Sequence, residues 1–442
     1  MKPIFHFLAR SIILIVLFTT LSVAQIVQIP FHSPALSRNV DYHSFSPSLM
    51  LKHEIGDRFT KLPKNPVLSP TAGDWDRLDV ADPFVLVTAD SVMLFYAGDN
   101  NDQYRIGYAV QDRSGWFWIK RGKFFSGSGN DWDTYHQIAP IVFMQGGFWQ
   151  LYYNGNDSDD ETTFKWGYSE KVGAGNWYFP RKTPVMEIDS TAWDFSGNVY
   201  GDIIYSFEEK KYRMWYTGFQ GPLASIGMAE SVDGIRWQKV GRQPVLANLP
   251  GIISPEVIYN GEMYRMYYVQ LQLEGTRKIT RIVSAESRDG ISWGTSKEIL
   301  SPTVKWEKRQ LMRPNISYFE GRVYLYYCAG GGDWQIGAAY TEATFEEKGK
   351  WISKPIRHKR EKLRIKYEMP PQTTVEMNFI DPVTDMTFIV YLEDTQQEIR
   401  HHVYLSEVDI PEDIQAGNWQ IELALKTKDV NRSPVVFEIE LQ

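Results

Sequence analysis

The sequence predicts an all-β protein, a five-bladed β-propeller followed by a small C-terminal β-sandwich. Two observations support this prediction. A unit of four short strands recurs five times along the chain, and no helical periodicity appears within the unit. Units of this kind bury their apolar faces against their neighbours, which is how the blades of a propeller pack.

Each unit opens with a short apolar strand, followed by a turn and an aromatic strand. The first strands read DPFVLV from 82, APIVFM from 139, GDIIYS from 201, PEVIYN from 255 and RPNISY from 313. The second strands read VMLFYAG, FWQLYYNG, YRMWYTG, MYRMYYV and VYLYYCAG. The short turns between them predict hairpins, and most of the aromatic side chains are expected to pack between blades.

A third and a fourth strand complete each unit. The third strands read IGYAV, WGYSE, IGMAES, IVSAES and IGAAY, and two of them lead into SVDGIRW and SRDGISW, where Asp-Gly suits a tight hairpin. Longer loops join the units. Four of these loops carry a Trp-acid pair, in DWDRLDVADP, DWDTYHQIAP, AWDFSGNVYGD and KWEKRQLMRP.

The chain divides into five predicted segments. They are a signal peptide at 1–24, an extended segment at 25–65, the propeller at 66–355, a linker at 356–366 and the sandwich at 367–442. The extended segment is able to add a strand that closes the ring of blades. The last segment alternates apolar and polar residues with period two, as in MTFIVYL and PVVFEIEL.

The first residues predict export. MKPIFHFLAR precedes the apolar run SIILIVLFTTL and then SVA, so cleavage is expected after Ala24, with Ser22 at the other small-residue position. The run is shorter than the roughly 20 residues of a membrane-spanning helix. We therefore expect a secreted or periplasmic protein without a membrane span, and an uncleaved N-terminal anchor is the alternative.

The charge and the cysteine content of the chain limit the partners and the disulfide bonds that we expect. The net charge is -7, and the single basic run, RHKREKLRIK at 357–366, fits a solvated linker, so no nucleic-acid partner is predicted. Cys328 is the only cysteine and lies in an apolar string, which predicts a buried core residue and no intrachain disulfide. We expect a monomer whose partner is a hydroxyl-rich carbohydrate.

Candidate site residues lie where the first strands differ, because these strands line the channel of a propeller. Around the proline position, one strand face carries Asp82 with Phe84, Ala139 with Ile141, Gly201 with Ile203, Ser254 with Glu256, and Arg313 with Asn315. In this alignment, Asp202 replaces the proline of the third unit.

Two carboxylates that converge on the channel would supply the acid and the base of glycoside hydrolysis. Asp82 and Glu256 are the two candidates, and Arg313 would keep one of them ionised or bind a sugar hydroxyl. The alternative is that both carboxylates pair with arginines or cap loops at the channel mouth.

One string of motifs recurs along the chain: PV-L, W-D, DP or AP, a hairpin, FYAG or WYTG, IG-A-S and DGI-W. This string resembles that of the five-bladed propeller glycosidases. That superfamily holds glycoside hydrolase families 43, 32, 62, 117 and 130, and the motifs are most similar to family 43. The resemblance covers residues 66–355. Family 32 is less similar, because its WMNDPNG start and RDP element are absent.

The resemblance to family 43 implies that Asp82, directly before a proline, is the general base. The family's second Asp, which tunes the acid, precedes the proline of the third blade, whereas Asp202 here occupies the proline position. The family's acid lies two residues before the proline of the fourth blade. Ile253 stands there, and Glu256 follows Pro255, so Glu256 is a displaced candidate for the acid.

The resemblance also implies roles around the channel. His136 would bind sugar hydroxyls, or hold a water beneath a structural Ca²⁺ in the channel, and a surface-loop histidine is the alternative. Asn198 and Asn315 are further candidates for substrate binding, with Arg313. The sequence contains no cofactor motif and no metal-ligand cluster of recognisable spacing.

These observations favour an exported, family 43-like glycoside hydrolase that acts on a plant or algal poly- or oligosaccharide. Asp82 would activate water, Glu256 would protonate the leaving oxygen, and Asp202 or Arg313 would tune them. A second hypothesis is a carbohydrate-binding propeller that has lost the acid. A third is a phosphate-dependent glycoside phosphorylase, for which Arg309 and Arg313 are the candidates for binding phosphate.

Overall fold

The structure is a computed structural model that describes residues 27–442 apart from 46, 113–116, 146, 161–162, 358–359 and 416–417. The predicted signal peptide and its cleavage site lie outside the described residues. Within the described chain, the helices are the short turns Lys305–Glu307, Leu392–Thr395 and Glu412–Gln415, and nearly all other regular structure is strand, which confirms the all-β prediction. None of the described helices is long and apolar enough to cross a membrane.

Five antiparallel sheets, here sheets 1 to 5, follow one another along the chain. Sheet 1 contains β7 (Asp79–Val87), β8 (Val92–Asp99), β9 (Tyr104–Gln111) and β10 (Trp118–Phe125). Sheet 2 contains β11 (His136–Gln145), β12 (Phe148–Asn156) and β13 (Lys165–Val172). Sheet 3 contains β14 (Gly197–Ser206), β15 (Lys211–Gln220), β16 (Leu223–Ser231) and β17 (Gln238–Lys239).

The last two sheets of this series have four strands each. Sheet 4 contains β18 (Ile252–Tyr259), β19 (Tyr264–Glu274), β20 (Arg277–Ser287) and β21 (Lys297–Leu300). Sheet 5 contains β22 (Leu311–Phe319), β23 (Arg322–Ala329), β24 (Gln335–Thr341) and β6 (Thr60–Lys61). The fourth strand of sheet 5 therefore comes from the N-terminal segment, where Lys61 pairs with Ala339.

The first strands of the five sheets contact one another in a closed cycle. Strand β7 contacts β11, β11 contacts β14, β14 contacts β18, β18 contacts β22, and β22 contacts β7 again. The sheets therefore form a ring with their first strands at its centre. Cys328, on the second strand of sheet 5, is buried, as predicted.

The Trp-acid pairs of the loops between sheets have a structural role. A second-strand tyrosine hydroxyl donates to each acid: Tyr96 to Asp76 (3.0 Å), Tyr153 to Asp133 (2.6 Å), Tyr216 to Asp194, and Tyr327 to Glu307 (2.9 Å). All four acids are fully buried. A lysine pairs with three of them, Lys120 with Asp76, Lys239 with Asp194 and Lys61 with Glu307.

The tryptophan of each pair stacks on the same tyrosine ring, as in Trp193 on Tyr216 with centroids 6.3 Å apart. A glycine on the third strand makes room for it. A Cβ on Gly107 would lie 2.4 Å from the Trp75 ring, so no larger residue fits there. This arrangement explains both the Trp-acid pairs and the IG or WG that opens each of four third strands.

The remaining strands form two larger sheets and a two-stranded one. The first combines β1 (Val27–Gln28), β3 (Val40–Asp41), β4 (Leu49–Leu51), β27 (Lys362–Glu368), β30 (Gln397–Arg400), β31 (Val403–Asp409) and β33 (Val435–Leu441). The second combines β2 (Leu36–Arg38), β26 (Lys348–Ile352), β28 (Thr373–Ile380), β29 (Thr387–Val390) and β32 (Gln420–Thr427). Strand β5 (His53–Ile55) pairs with β25 (Ala343–Phe345).

The boundaries of the C-terminal part differ from those expected at 355 and 367. Strand β26 pairs with β32, so residues 348–352 belong to a C-terminal sheet and not to the ring. The N-terminal segment contributes strands to both large sheets, as when Val27 pairs with Leu441. A sequence pattern shows that a strand exists, but such distant pairing partners are set by tertiary packing.

Candidate functional site

Each first strand is interrupted by a bulge at the same point. The residue at the bulge has a positive φ in every sheet: Asp82 (53°), Ala139 (55°), Tyr200 (47°), Ser254 (57°) and Arg313 (56°). We call these five residues the bulge layer. Non-glycine residues seldom adopt this conformation, and it is retained where surrounding structure enforces it, often at functional sites.

The bulge corrects the alignment of the third unit. Tyr200, and not Gly201, matches Asp82, so Gly201 takes the proline position and Asp202 matches Glu256 and Asn315. The placement of Asp202 at the proline position was therefore wrong by one residue. Gly201 is required there because an added Cβ would lie 2.2 Å from the carbonyl oxygen of Trp215.

Three residues of the bulge layer meet at the centre of the ring. Arg313 Nε lies 3.1 Å from Asp82 Oδ1, and the Arg313 guanidinium lies 4.1 Å from the centroid of the Tyr200 ring. Sheets 3 and 5 are not neighbours in the ring, so the contact between Arg313 and Tyr200 crosses its centre. Asp82 Oδ2 also accepts the backbone N–H of Ala139 at 3.1 Å. The Asp82 carboxylate is thus held in place by a guanidinium and a backbone amide.

Beside Asp82, a second group of polar residues joins sheets 1 and 2. The Tyr104 hydroxyl donates to Asp79 Oδ2 at 3.1 Å, and the Tyr104 N–H donates to His136 Nδ1 at 3.0 Å. Burial raises the pKa of Asp79 and lowers that of His136. Burial, followed by the charges of Asp79, Asp99 and Asp82, raises the pKa of the Tyr104 hydroxyl.

His136 is a buried residue, 6% exposed, and not a surface-loop histidine. Its Nδ1 accepts a hydrogen bond, so the neutral ring carries its proton on Nε2. Asp79 and Tyr104 were not predicted from the sequence as site residues. A signal for Asp79 was present, because Asp79 and His136 both lie four residues before the proline of their units.

Two residues further along the strands, a second set of residues links three of the sheets to the next sheet in the ring. This lower layer contains Asp202, Glu256 and Asn315, with Phe84 and Ile141 at the same position in sheets 1 and 2. Asp202 Oδ2 accepts the N–H of Val257, Glu256 Oε1 that of Ile316, and Asn315 Oδ1 that of Val85, each at 2.8 Å.

Burial strongly perturbs the two carboxyl groups of the lower layer. Burial raises the pKa of Asp202 to about 7. Burial, followed by the nearby charge of Asp202, raises the pKa of Glu256 well above its ordinary value. Glu256 Oε1 also accepts Asn315 Nδ2 at 3.0 Å. Both hydrogen bonds fall on Oε1, which leaves Oε2 as the oxygen available to carry a proton.

A cavity of about 540 Å³ lies on the lower-layer side of the ring. Asp202, Glu256 and Asn315 line it together with aromatic side chains, while Val435 and Phe437 of the C-terminal part and the N-terminal segment close it. Asp82 is not in its lining. The candidate acid and base therefore lie in adjacent layers, and Arg313 is near both, since its charge also acts on Glu256.

Asn198 does not join these groups. It occupies the position of Val80, Ile252 and Leu311, which are fully buried between strands. Neither its Oδ1 nor its Nδ2 has a hydrogen-bond partner among the described residues. Asn154, by contrast, contacts the bulge layer, because its Oδ1 accepts the N–H of Tyr200 at 2.9 Å.

The ring of sheets is similar to the folds of several solved structures. No protein-family model matches the chain. Solved structures that resemble it include one described as "Glycoside hydrolase", with a TM-score of 0.55 and 18% identity over 64% of this chain and 92% of that one. The fold is that of glycoside-hydrolase-like propellers. A glycosyl hydrolase from Bacteroides ovatus is also similar, with a TM-score of 0.52 and 16% identity over 64% of this chain and 94% of that one.

Two further proteins are similar to parts of this chain. A structure described with the words "The GH130 family of mannoside phosphorylases contains glycoside hydrolases that target beta-1,2 mannosidic linkages in Candida mannan" has a TM-score of 0.51 and 16% identity over 65% of this chain and 94% of that one. "Uncharacterized protein Rv1502" of Mycobacterium tuberculosis is 26% identical over 250 residues, which are 53% of this chain and 83% of that protein. At these identities, the solved structures establish the fold alone.

Proposed function

We propose that the protein is an exported glycoside hydrolase built on a five-bladed propeller, with the C-terminal sheets forming a sandwich. The observation that carries the proposal is a pair of carboxyl groups in contrasting surroundings. Asp82 is ion-paired with Arg313, and Glu256 is buried with a pKa raised well above its ordinary value. One ionised and one protonated carboxyl group are what glycoside hydrolysis requires.

In this proposal, Asp82 takes a proton from water as the water oxygen attacks the anomeric carbon. Glu256 gives the proton on Oε2 to the glycosidic oxygen, which leaves with the bond electrons. Arg313 positions Asp82 through their ion pair. Tyr200 contributes a ring face for a sugar, and Ser254 Oγ, which is buried without a partner among the described residues, supplies a group for a sugar hydroxyl.

Asp79 is the competing candidate for the acid. It lies near Asp82 through Tyr104, and its pKa is also raised by burial. Both of its oxygens accept hydrogen bonds, from Tyr104 and from the N–H of Trp334. Glu256 has the freer oxygen, and for that reason we assign it the proton transfer.

Carbohydrate binding without catalysis is the second candidate function. The observation that favours it is that the positions matching the second Asp and the acid of family 43 carry Tyr200 and Ile253. Phosphorolysis has less support, because Arg313 is paired with Asp82 and Arg309 with Glu274. Each guanidinium therefore already has a carboxylate partner.

A screen of aryl glycosides and plant polysaccharides, with and without inorganic phosphate, tests these functions. We expect phosphate-independent release of reducing sugar by the wild type and no release by Asp82→Asn. Sugar binding without turnover would establish the second function instead. N-terminal sequencing of the exported protein tests cleavage after Ala24, and light scattering tests the monomer.

A further inference from the structure

Two histidines form the turn between β30 and β31 in the C-terminal part. Arg400 pairs with Val403, so His401 and His402 alone connect the strands, and His402 has a φ of 58°. Turns of this length favour glycine or asparagine where φ is positive. His402 therefore places a bulky ring at the position of positive φ, directly beside a second histidine.

The two imidazole rings lie side by side, with centroids 3.9 Å apart and planes tilted by 35°. Glu398 completes the group, because its Oε1 accepts the N–H of His402 at 3.0 Å. One ring nitrogen of each histidine and one oxygen of Glu398 lie within 4.8 Å of one another. Ligand atoms of a tetrahedral zinc site are separated by roughly 3.4 Å, so small side-chain rotations would bring these three atoms onto one ion.

The surroundings leave the ring nitrogens available. In the described part of the chain, neither ring makes a hydrogen bond or ion pair through its nitrogens. The charges that act on His402 besides its two partners are Glu320, which is favourable to a cation, and Arg432, which is not.

We propose that Glu398, His401 and His402 bind a zinc ion, with one coordination position open to water or to a further ligand. Two imidazoles and a carboxylate form a ligand set that zinc accepts. The site lies at the junction between the C-terminal sheets and the propeller, since the neighbouring Arg400 donates to the carbonyl oxygens of Thr88 and Ala89 in the turn after β7. A bound ion would therefore rigidify the turn that carries this contact.

Titration calorimetry with zinc chloride tests the proposal, using full-length protein without an affinity tag and freed of metal by a chelator. We expect one zinc per chain, and cobalt in place of zinc should give the visible absorption of a tetrahedral site. His401→Ala and Glu398→Gln should each weaken zinc binding at least tenfold. Glu398→Gln keeps an oxygen for the His402 N–H, so it separates loss of a ligand from loss of the turn.

His402→Asn is the matched variant for the third ligand, because asparagine tolerates the positive φ of the turn. It should lose zinc binding while its melting temperature without metal stays near that of the wild type. His32→Ala, which removes an exposed histidine outside the group, should bind zinc normally. The proposal is overturned if the wild type binds no zinc, if the three ligand variants bind it normally, or if His32→Ala weakens binding equally.

Discussion

In the lower layer of the propeller, Asp202, Glu256 and Asn315 each accept a backbone N–H from the next sheet. In the bulge layer, Asp82 makes a bond of the same kind to Ala139 but also faces the guanidinium of Arg313. The two layers use similar residue types at neighbouring depths. A carboxylate near the axis therefore does not by itself indicate catalysis, because its charge state and its free oxygen decide what it can do.

The largest expected effect is on Asp82 in the bulge layer. Asp82→Asn keeps an oxygen for the Ala139 N–H but removes the base, so hydrolysis should fall by about 100- to 10,000-fold. The melting temperature should also fall, because the Arg313 side chain is only 11% exposed and loses its charged partner. Rates on the best substrate of the screen and a thermal melt check both expectations. Retained activity would show that the bulge layer is structural as well.

The pH dependence of stability should come from the lower layer. Burial raises the pKa of Asp202 from 3.8 to about 7. Between these values the folded protein holds a proton that the unfolded chain has released, so stability falls as the pH rises through this window and levels off above it. A shift of this size corresponds to at most about 4 kcal/mol.

Urea unfolding of the wild type and of Asp202→Asn at several pH values measures this loss. Asparagine keeps an oxygen for the Val257 N–H and does not titrate, so the variant should lose less stability between pH 4 and 8. Equal slopes for the two proteins would mean that Asp202 is not protonated in the folded state.

Two substitutions of Glu256 separate its structural role from its proposed chemical one. Glu256→Gln keeps an acceptor for the Ile316 N–H and removes the acidic proton, so activity should fall while stability holds. Glu256→Ala should also lose about 1 to 3 kcal/mol of stability, because it leaves buried donors unpaired. If the glutamine variant is fully active, Asp79→Asn should be inactive instead, and the acid is then Asp79.

The smallest expected effect is on Tyr200. Tyr200→Leu removes the ring beneath the Arg313 guanidinium, and a partly buried cation–π contact contributes roughly 0.5 to 2 kcal/mol. We expect a loss of stability in this range and a higher KM with little change in kcat. A large fall in kcat would instead place Tyr200 among the reacting groups.

The sequence predicted much of the propeller because its repeat is strong at the level of residues. The first strands, the aromatic second strands and the Asp-Gly turns all follow local rules, and Asp82, Glu256 and Arg313 were found from differences between repeats. The third unit was misaligned because its bulge has no proline to mark it. Only the backbone conformation of Tyr200 shows where the extra residue lies.

The roles of several site residues depend on contacts that no single strand reveals. Tyr104 links Asp79 and His136 across two sheets. Glu256 and Asp202 appeared as catalytic candidates, and their bonds to the next sheet became visible only with the ring assembled. The strands of the N-terminal segment likewise pair with partners several hundred residues away, which local patterns do not specify.

The pairing of Thr60–Lys61 with Gln335–Thr341 has a consequence for how the chain assembles. The ribosome makes this short strand before any complete blade exists, yet its partner arrives about 280 residues later. The segment therefore stays unpaired with β24 through most of synthesis. The ring of sheets closes only when its earliest strand pairs with one of its latest. The pairing between the two ends of the chain is therefore the natural place to alter the fold. Truncation would remove this pairing, whereas a circular permutation would join the two ends and open the chain elsewhere.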